Sequence, residues 1–346
     1  MRRSNLNFFG FVSLLGLIAL LPPLSVPTPA QAQFFGRSQQ ASQRANQQAA
    51  QEQRAREAAR LGVVIARAHG PKEALRQNRL MSVALGKLKA ERRGVADAYV
   101  IVAGLDSDGV FGREAVETGR VLSRRFDGEG RTLVIANGTG ASDPAVPDAH
   151  PEHLGAALAQ MSELMNKEED VLVLYLTSHG HWATGISYRD GDRASGSIAP
   201  ARLAEMLNET GIKNRLIIIS ACYSGIFIPA LQNETTVTMT AASSEKPSFG
   251  CRAENDWTFF GDALINNAMR QPGPSPDAFV AARGLISRWE VAERLDPSNP
   301  QIDIGTGARS WLDKLDARVP RAPSAKVGRP ANAPIVPPTR SPASKS

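Results

Sequence analysis

The sequence contains little cysteine and no long apolar run. It has only two cysteines, Cys222 and Cys251, among 346 residues, and no CxxC pair, so a disulfide-rich scaffold and a zinc ribbon are both excluded. Its longest apolar stretch falls short of the roughly 20 residues that a membrane-spanning helix needs. Hydrophobic residues make up 42% and charged residues 21% of the chain. A polytopic membrane protein and a wholly disordered chain are therefore excluded, and the length suits one or two globular domains.

Excess basic charge is confined to the two ends of the chain. Residues 33–93 contain 13 basic and 4 acidic residues, and residues 318–346 contain 6 basic residues and no acidic one. The central region, 94–317, contains 19 basic and 30 acidic residues, although the whole chain has a formal charge of +6. A nucleic-acid partner is not expected, because a surface that binds nucleic acid is basic, whereas the central region is acidic. The basic ends suit contact with an anionic envelope surface, or serve only solubility and tethering.

The first 32 residues have the pattern of a signal peptide. Arg2 and Arg3 provide the positive start, and a 14-residue apolar segment follows at 8–21. Ala30 and Ala32 then provide the small residues that a signal peptidase requires before its cut. We expect cleavage after Ala32 and a periplasmic or secreted mature protein. The alternative is an uncleaved N-terminal anchor.

Two segments flank the central region without the pattern of a packed core. Residues 33–93 form a basic lead-in rich in glutamine and alanine, which is expected to be partly helical. Residues 318–346 are rich in proline, serine and basic residues, and we expect them to form a disordered tail. The folded domain is therefore predicted at 94–317.

The central region alternates short apolar runs with segments of helical spacing. The runs are nearly continuous in apolar residues, which is typical of strands buried on both faces of a parallel sheet. They begin at Tyr99, Thr132, Val171 and Leu216, with a weaker fifth at Val237. The helical segments between them lie at 115–126, 151–166 and 200–209. This order predicts an α/β domain with a parallel sheet, whose ligand site lies at the carboxyl ends of the strands.

The loops after two of these runs carry a histidine and a cysteine. Ser178-His179-Gly180 follows the run from Val171, and Ser220-Ala221-Cys222-Tyr223-Ser224-Gly225 follows the run from Leu216. Since parallel strands end at one edge of a sheet, His179 and Cys222 are expected to face each other across a cleft. A free thiol has a pKa of about 8.5. A cysteine that attacks a carbonyl at neutral pH therefore needs such an imidazole beside it.

These two motifs resemble the catalytic motifs of the legumain family of cysteine peptidases, in the caspase-like superfamily. Further similar segments occur in matching order at 103–115, 240–251, 259–262 and 297–301, and the first and last of them are similar to exported bacterial members. The resemblance covers roughly 94–305. It implies a caspase-like three-layer α/β/α fold with a mostly parallel sheet. It also implies an endopeptidase that acts on peptide or protein substrates through a thioester, with no metal or organic cofactor.

The resemblance also implies a role for individual residues. Cys222 is the nucleophile and His179 the acid/base, and the N–H groups of Gly180 and Cys222 form the oxyanion hole. The substrate-binding residues that it implies are Asp262 on the pocket floor, Ser248 in the pocket wall, Ser220 and Arg113. Asparagine-specific relatives carry an acidic residue at the position of Ser220. We therefore expect a preference before the cut for asparagine or a basic residue, without strict asparagine specificity.

Other interpretations of the cysteines and histidines stay open. Cys222 and Cys251 could form a disulfide in an oxidising compartment, which would abolish the nucleophile. His179 and His181 form an H-x-H pair that would bind zinc only with a further ligand.

A non-enzymatic function is the alternative for the whole protein. A catalytically inactive envelope scaffold or binding protein of the same fold would explain Ser220 and the long basic ends. Asp106 and Asp108 have a faint calcium-loop pattern, but the ligand spacing of an EF-hand is missing, so a capped turn is expected there.

Overall fold

The computed structural model describes residues 29–67, 70–138 and 145–333. The chain divides into two compact units, Met1–Gln51 and Glu52–Ser346. Helix α1 (Pro29–Leu61) supplies all described residues of the first unit and the first residues of the second. None of the helices in the described part of the chain has both the length and the apolar composition of a membrane span. Residues 1–28, which make up most of the predicted signal peptide, lie outside the described residues.

A six-stranded sheet forms the centre of the second unit. Its strands are β2 (Ala98–Gly104), β3 (Thr132–Ala136), β4 (Val171–Thr177), β8 (Asn214–Ser220), β9 (Thr236–Thr240) and β10 (Gln301–Ile304). The order is β10-β9-β8-β4-β2-β3, and every neighbouring pair is parallel except β10 with β9. All five predicted strands are present. They form because their apolar residues are buried on both faces of the sheet.

Helices cover both faces of this sheet. They are α2 (Pro71–Gly86), α3 (Gly109–Arg125), α4 (Pro151–Leu164), α5 (Pro200–Glu209), the short α6 (Ile228–Leu231), α7 (Ser275–Glu293), α8 (Arg309–Asp316) and a π-helical segment, Gly261–Asn267. Alternate residues of β2 point to opposite faces. Val100 and Val102 join the core under α3, α7 and α8, whereas Tyr99 and Ile101 join the core under α2, α4 and α5. The predicted three-layer α/β/α architecture with a mostly parallel sheet is confirmed.

A second, smaller sheet lies beside the first and was not predicted. Its strands are β1 (Val64–Ala66), β5 (Gly180–His181), β6 (Gly185–Asp190) and β7 (Ala194–Ile198). The order is β1-β7-β6-β5 with antiparallel neighbours. Strand β1 comes from the lead-in, whose described residues also contribute to α1 and form α2. The compact unit thus begins at Glu52, earlier than the domain boundary predicted at residue 94.

The residues after α8 also differ from the prediction. Residues 318–333 lie against the domain through backbone hydrogen bonds to buried side chains. The indole N–H of Trp257 donates to the carbonyl of Val327 at 2.8 Å, and the N–H of Ala331 donates to Asp262 Oδ2 at 2.8 Å. The predicted disorder is wrong for this segment, because composition does not reveal hydrogen bonds to distant side chains. The rest of the predicted tail, 334–346, lies outside the described residues.

We predict that a chain ending at Val319 is less stable than one ending at Ala333. The shorter chain loses the carbonyl that Trp257 donates to and the N–H that Asp262 accepts from, and each such loss costs ~1 kcal/mol or more. Its Tm, followed by far-UV circular dichroism, should fall by about 5 °C or more. Equal Tm values for the two chains would show that the segment contributes nothing to the fold.

Candidate active site

The ends of β4 and β8 fix the positions of the two predicted catalytic loops. Thr177, the last residue of β4, is the register partner of Ser220, the last residue of β8. One residue on, the N–H of Ser178 donates to the carbonyl of Ser220 at 3.2 Å. The loops that begin with His179 and with Ala221 therefore leave the same edge of the sheet at the same level.

The two loops touch at Gly180. A Cβ atom at this position would lie 2.1 Å from the backbone oxygen of Cys222 and 3.1 Å from the Cβ of Ala221. Only glycine allows this approach, so the absence of a side chain brings the histidine loop against the cysteine loop. The backbone then turns sharply after Cys222, because Tyr223 has a left-handed conformation (φ 57°) and its N–H donates to the carbonyl of Lys246.

The imidazole of His179 is held by Asp108, a residue that the sequence analysis placed in a turn. The distance from His179 Nε2 to Asp108 Oδ2 is 3.0 Å. The edge of the ring also packs on Phe111, with ring centroids 5.0 Å apart and an interplanar angle of 81°. Since Nε2 contacts the carboxylate, Nδ1 is the nitrogen left for other chemistry.

Arg189 of β6 neutralises the carboxylates around this histidine. Its Nη2 atom lies 2.8 Å from Asp106 Oδ1 and 2.5 Å from Asp108 Oδ1. Burial raises the pKa of Asp108, but hydrogen bonds from His179 and Arg189 outweigh burial and leave that pKa below its ordinary value. Asp106, Asp108 and His179 are close enough to resemble a metal-binding cluster. The guanidinium already provides the positive charge there, so the cluster fits an ion-pair network better than a cation site.

The sulfur of Cys222 lies against the segment that contains Ser248 and Cys251. The N–H of Ser248 points at Sγ at 3.3 Å, and Sγ lies 3.5 Å from the carbonyl of Ser248. Both cysteines are free thiols, so the structure does not contain the disulfide between them that the sequence left open. A hydrogen bond from the Cys251 thiol lowers the pKa of Cys222, and the Ser248 N–H and the charge of His179 add to this effect. Together they outweigh burial, which raises that pKa, and favour a thiolate.

Two of the predicted pocket residues lie next to Cys222. The backbone of Ser248 contacts its sulfur directly. Ser220 ends the strand that leads to the cysteine, and its hydroxyl lies 3.0 Å from that of Thr258. Ser248 therefore lies at the sulfur, whereas the hydroxyl of Ser220 is buried against Thr258.

The other two predicted pocket residues are engaged elsewhere. Asp262 is 1% exposed, and its carboxylate accepts hydrogen bonds from Asn266, Asn267 and the N–H of Ala331. It differs in this respect from the open pocket floor that the resemblance implied. Arg113 donates to backbone carbonyls of the 253–255 segment and pairs with Asp256 at 3.2 Å. Its guanidinium thus holds this segment and is not directed at the sulfur by any described contact.

A buried carboxylate that the sequence analysis missed lies beneath Ser220. Glu114 of α3 accepts hydrogen bonds from the hydroxyl of Tyr175 at 2.6 Å and from that of Thr177 at 2.7 Å. It also accepts one from the N–H of Thr258 at 2.7 Å. Glu114 thereby ties the end of β4 to the segment that contacts Ser220. A glutamate within an amphipathic helix gives no local signal of this role.

One family model matches the part of the chain that contains both motifs. Residues 153–306 match the family model described as the Peptidase C13 family, a range that includes both His179 and Cys222. Among solved structures, 101 chains match. One is the crystal structure of caspase-1 from Spodoptera frugiperda, which is 13% identical, with 63% of this chain and 88% of that chain covered and a TM-score of 0.37. No curated protein matches.

We predict that Cys222 reacts with iodoacetamide at a lower pH than an ordinary thiol. The hydrogen bond from Cys251 favours the thiolate, so Cys251→Ala should raise the pKa of Cys222 and move the alkylation profile to higher pH. Cys251→Ser keeps a donor at this position and should leave the profile low. Mass spectrometry of the Cys222 peptide measures the rate at each pH. Identical profiles for the two variants would contradict a role for Cys251.

Proposed function

We propose that this chain, whose residues 153–306 match the Peptidase C13 family model, cuts peptide bonds within polypeptides with Cys222 as nucleophile and His179 as acid/base. The observation that carries the proposal is the pairing of two features at one sheet edge. A thiol whose pKa is lowered lies in the loop that packs against Gly180, and the residue before Gly180 is an imidazole held by a carboxylate. This combination is the one that thiol-based acyl transfer requires.

The first half of the reaction forms a thioester. The Cys222 thiolate attacks the carbonyl carbon of the scissile bond, and the negative oxygen that results is stabilised by the N–H groups of Gly180 and Cys222. The carbon–nitrogen bond then breaks while His179 gives its proton to the leaving amine. Because Nε2 contacts Asp108, the proton comes from Nδ1.

The second half restores the enzyme. Water attacks the thioester while His179 accepts a proton from it, and the carbon–sulfur bond breaks to return the thiolate. An amine of another peptide in place of water would give transpeptidation. Every proton and electron pair in this sequence is accounted for by substrate, water and residues of this chain.

Asp108 acts on the reaction through His179 and is therefore a positioning residue. Its carboxylate holds the imidazole in one orientation and stabilises the imidazolium that forms when His179 carries a proton. Arg189 in turn holds Asp108 from the opposite oxygen. Asp108 thus uses one carboxylate oxygen for His179 and the other for Arg189.

The geometry favours an amide side chain before the cut over a basic one. Asp262 and Glu114 both have their oxygens filled by donors of the chain itself. Ser248 remains at the sulfur, and its hydroxyl and backbone groups suit an asparagine amide. We propose asparagine as the preferred residue before the cut. We also propose that the protein is exported through the predicted signal peptide.

We predict that the protein cleaves an internally quenched peptide with asparagine before the cut, and that the matching peptide with lysine is cleaved more slowly. Cys222→Ala should abolish cleavage, and His179→Ala should reduce kcat/KM by roughly 10²- to 10⁴-fold. Folded wild-type protein that cleaves neither peptide would favour the inactive scaffold.

We further predict that Asp108→Asn reduces kcat by roughly 10- to 100-fold with little change in KM, since the amide cannot stabilise an imidazolium as a carboxylate does. Asp192→Asn is the matched control, because Asp192 is an exposed carboxylate paired only loosely with Arg67. Steady-state kinetics on the asparagine peptide measures both. Equal kcat values for the two variants would contradict the positioning role.

A further inference from the structure

Trp182 is an exposed indole three residues after His179 in the chain. It is 48% exposed, whereas Trp257 and Trp311 are 2% and 3% exposed in the core. It lies on the three-residue turn between β5 and β6, outside both hydrophobic cores. Tryptophan is enriched at binding surfaces, because its ring is apolar over most of its area and carries one N–H donor. Neither the fold nor the proposed reaction explains why it is there.

The turn that carries Trp182 is fixed to the catalytic loop. Strand β5 follows His179 directly and pairs with β6, and the N–H of Ser187 donates to the carbonyl of His179 at 2.9 Å. The N–H of Ala183 donates to the ring of His181 at 3.2 Å and stiffens the turn itself. Trp182 therefore keeps its place three residues beyond the histidine.

The proposed reaction indicates which part of the substrate approaches this turn. His179 protonates the leaving amine, so that nitrogen must come to the imidazole. The sulfur of Cys222 and the Ser248 segment lie on the side of the acyl group. We therefore expect the departing chain to extend past the loop that continues from His179 to the indole.

A cation already lies on the indole. The guanidinium carbon of Arg56, in α1, is 4.9 Å from the centroid of the Trp182 ring. The ring of His181 is 5.6 Å away, tilted by 31°, and supports the indole from the catalytic loop. The electron-rich face of an indole binds arginine or lysine at this distance. The site is thus built for a basic side chain and is occupied by one from the chain itself.

We propose that Trp182 binds an arginine or lysine side chain of the departing part of the substrate, and that Arg56 competes with it for the same ring face. This inference rests on the proposed peptidase function and deepens it. Arg56 belongs to the same compact unit as Trp182, and the pairing of β1 with β7 anchors the end of its helix. As an intramolecular ligand it has a high effective concentration, so it lowers the apparent affinity for basic peptides.

The test compares two peptides that differ only after the cut. Both have asparagine before the cut, and one has arginine and the other alanine in the departing part. Binding is measured by isothermal titration calorimetry on the full chain with Cys222→Ala, which prevents turnover. Arg56→Ala should increase affinity for the arginine peptide by about 2- to 5-fold and leave the alanine peptide unchanged. Trp182→Ala should remove the preference for arginine, and Trp182→Phe should retain part of it.

The matched control is Arg60→Ala. Arg60 lies one turn further along α1 and pairs with Glu57 at 2.9 Å, so its removal should change neither affinity. Equal effects of Arg56→Ala on both peptides, or an unchanged arginine preference in Trp182→Ala, would overturn the proposal. Labelling of wild-type Cys222 by an electrophilic peptide is measured separately. An arginine preference without labelling would overturn the peptidase function alone, and labelling without the preference would overturn the Trp182 site alone.

Discussion

The parallel pairing of β4 with β8 is the constraint on which the candidate site depends. It sets Thr177 opposite Ser220, and the pairing of β2 with β4 sets Gly104 opposite the same threonine. Three strands thus end at one level, as the ligand site of an open α/β sheet requires. The loops that follow deliver an imidazole, a thiol and a carboxylate to one edge. Close approach at Gly180 completes the arrangement, because a side chain there would separate the loops.

The carboxylates near this edge have different sets of hydrogen-bond partners, and these partners determine what each carboxylate can do. Glu114 is buried and satisfied by hydroxyl and N–H donors, so it holds strand and loop together. Asp106 is buried against Arg189. Asp108 shares that arginine but keeps one oxygen for His179. Negative charge is therefore stabilised where the imidazolium forms, while the thiolate is stabilised separately by Ser248 and Cys251.

The sequence allowed prediction of the sheet and of the edge at which the loops of His179 and Cys222 meet, because continuous apolar runs mark buried strands and loops follow at their ends. It did not allow prediction of Asp108 or Glu114 as site residues. The partner His179 lies 71 residues from Asp108 in the sequence, and the partners of Glu114 lie 61 or more residues from it. No local sequence pattern reports such contacts. The small sheet was missed because β5 has only two residues, too few for a periodic signal. The ordered structure of residues 318–333 was not predicted for the same reason as the role of Asp108. The backbone of this segment forms hydrogen bonds with side chains that are distant in the sequence.

The central claim is that Cys222 and His179 act together as a catalytic pair. Covalent labelling of the wild-type protein by an electrophilic peptide ending in asparagine, with the adduct located by mass spectrometry, tests it most directly. A catalytic pair gives an adduct on Cys222 and none on Cys251, with labelling that depends on the peptide sequence and is strongly reduced in His179→Ala. An unlabelled Cys222, or equal labelling of folded wild-type and His179→Ala proteins, would contradict the claim.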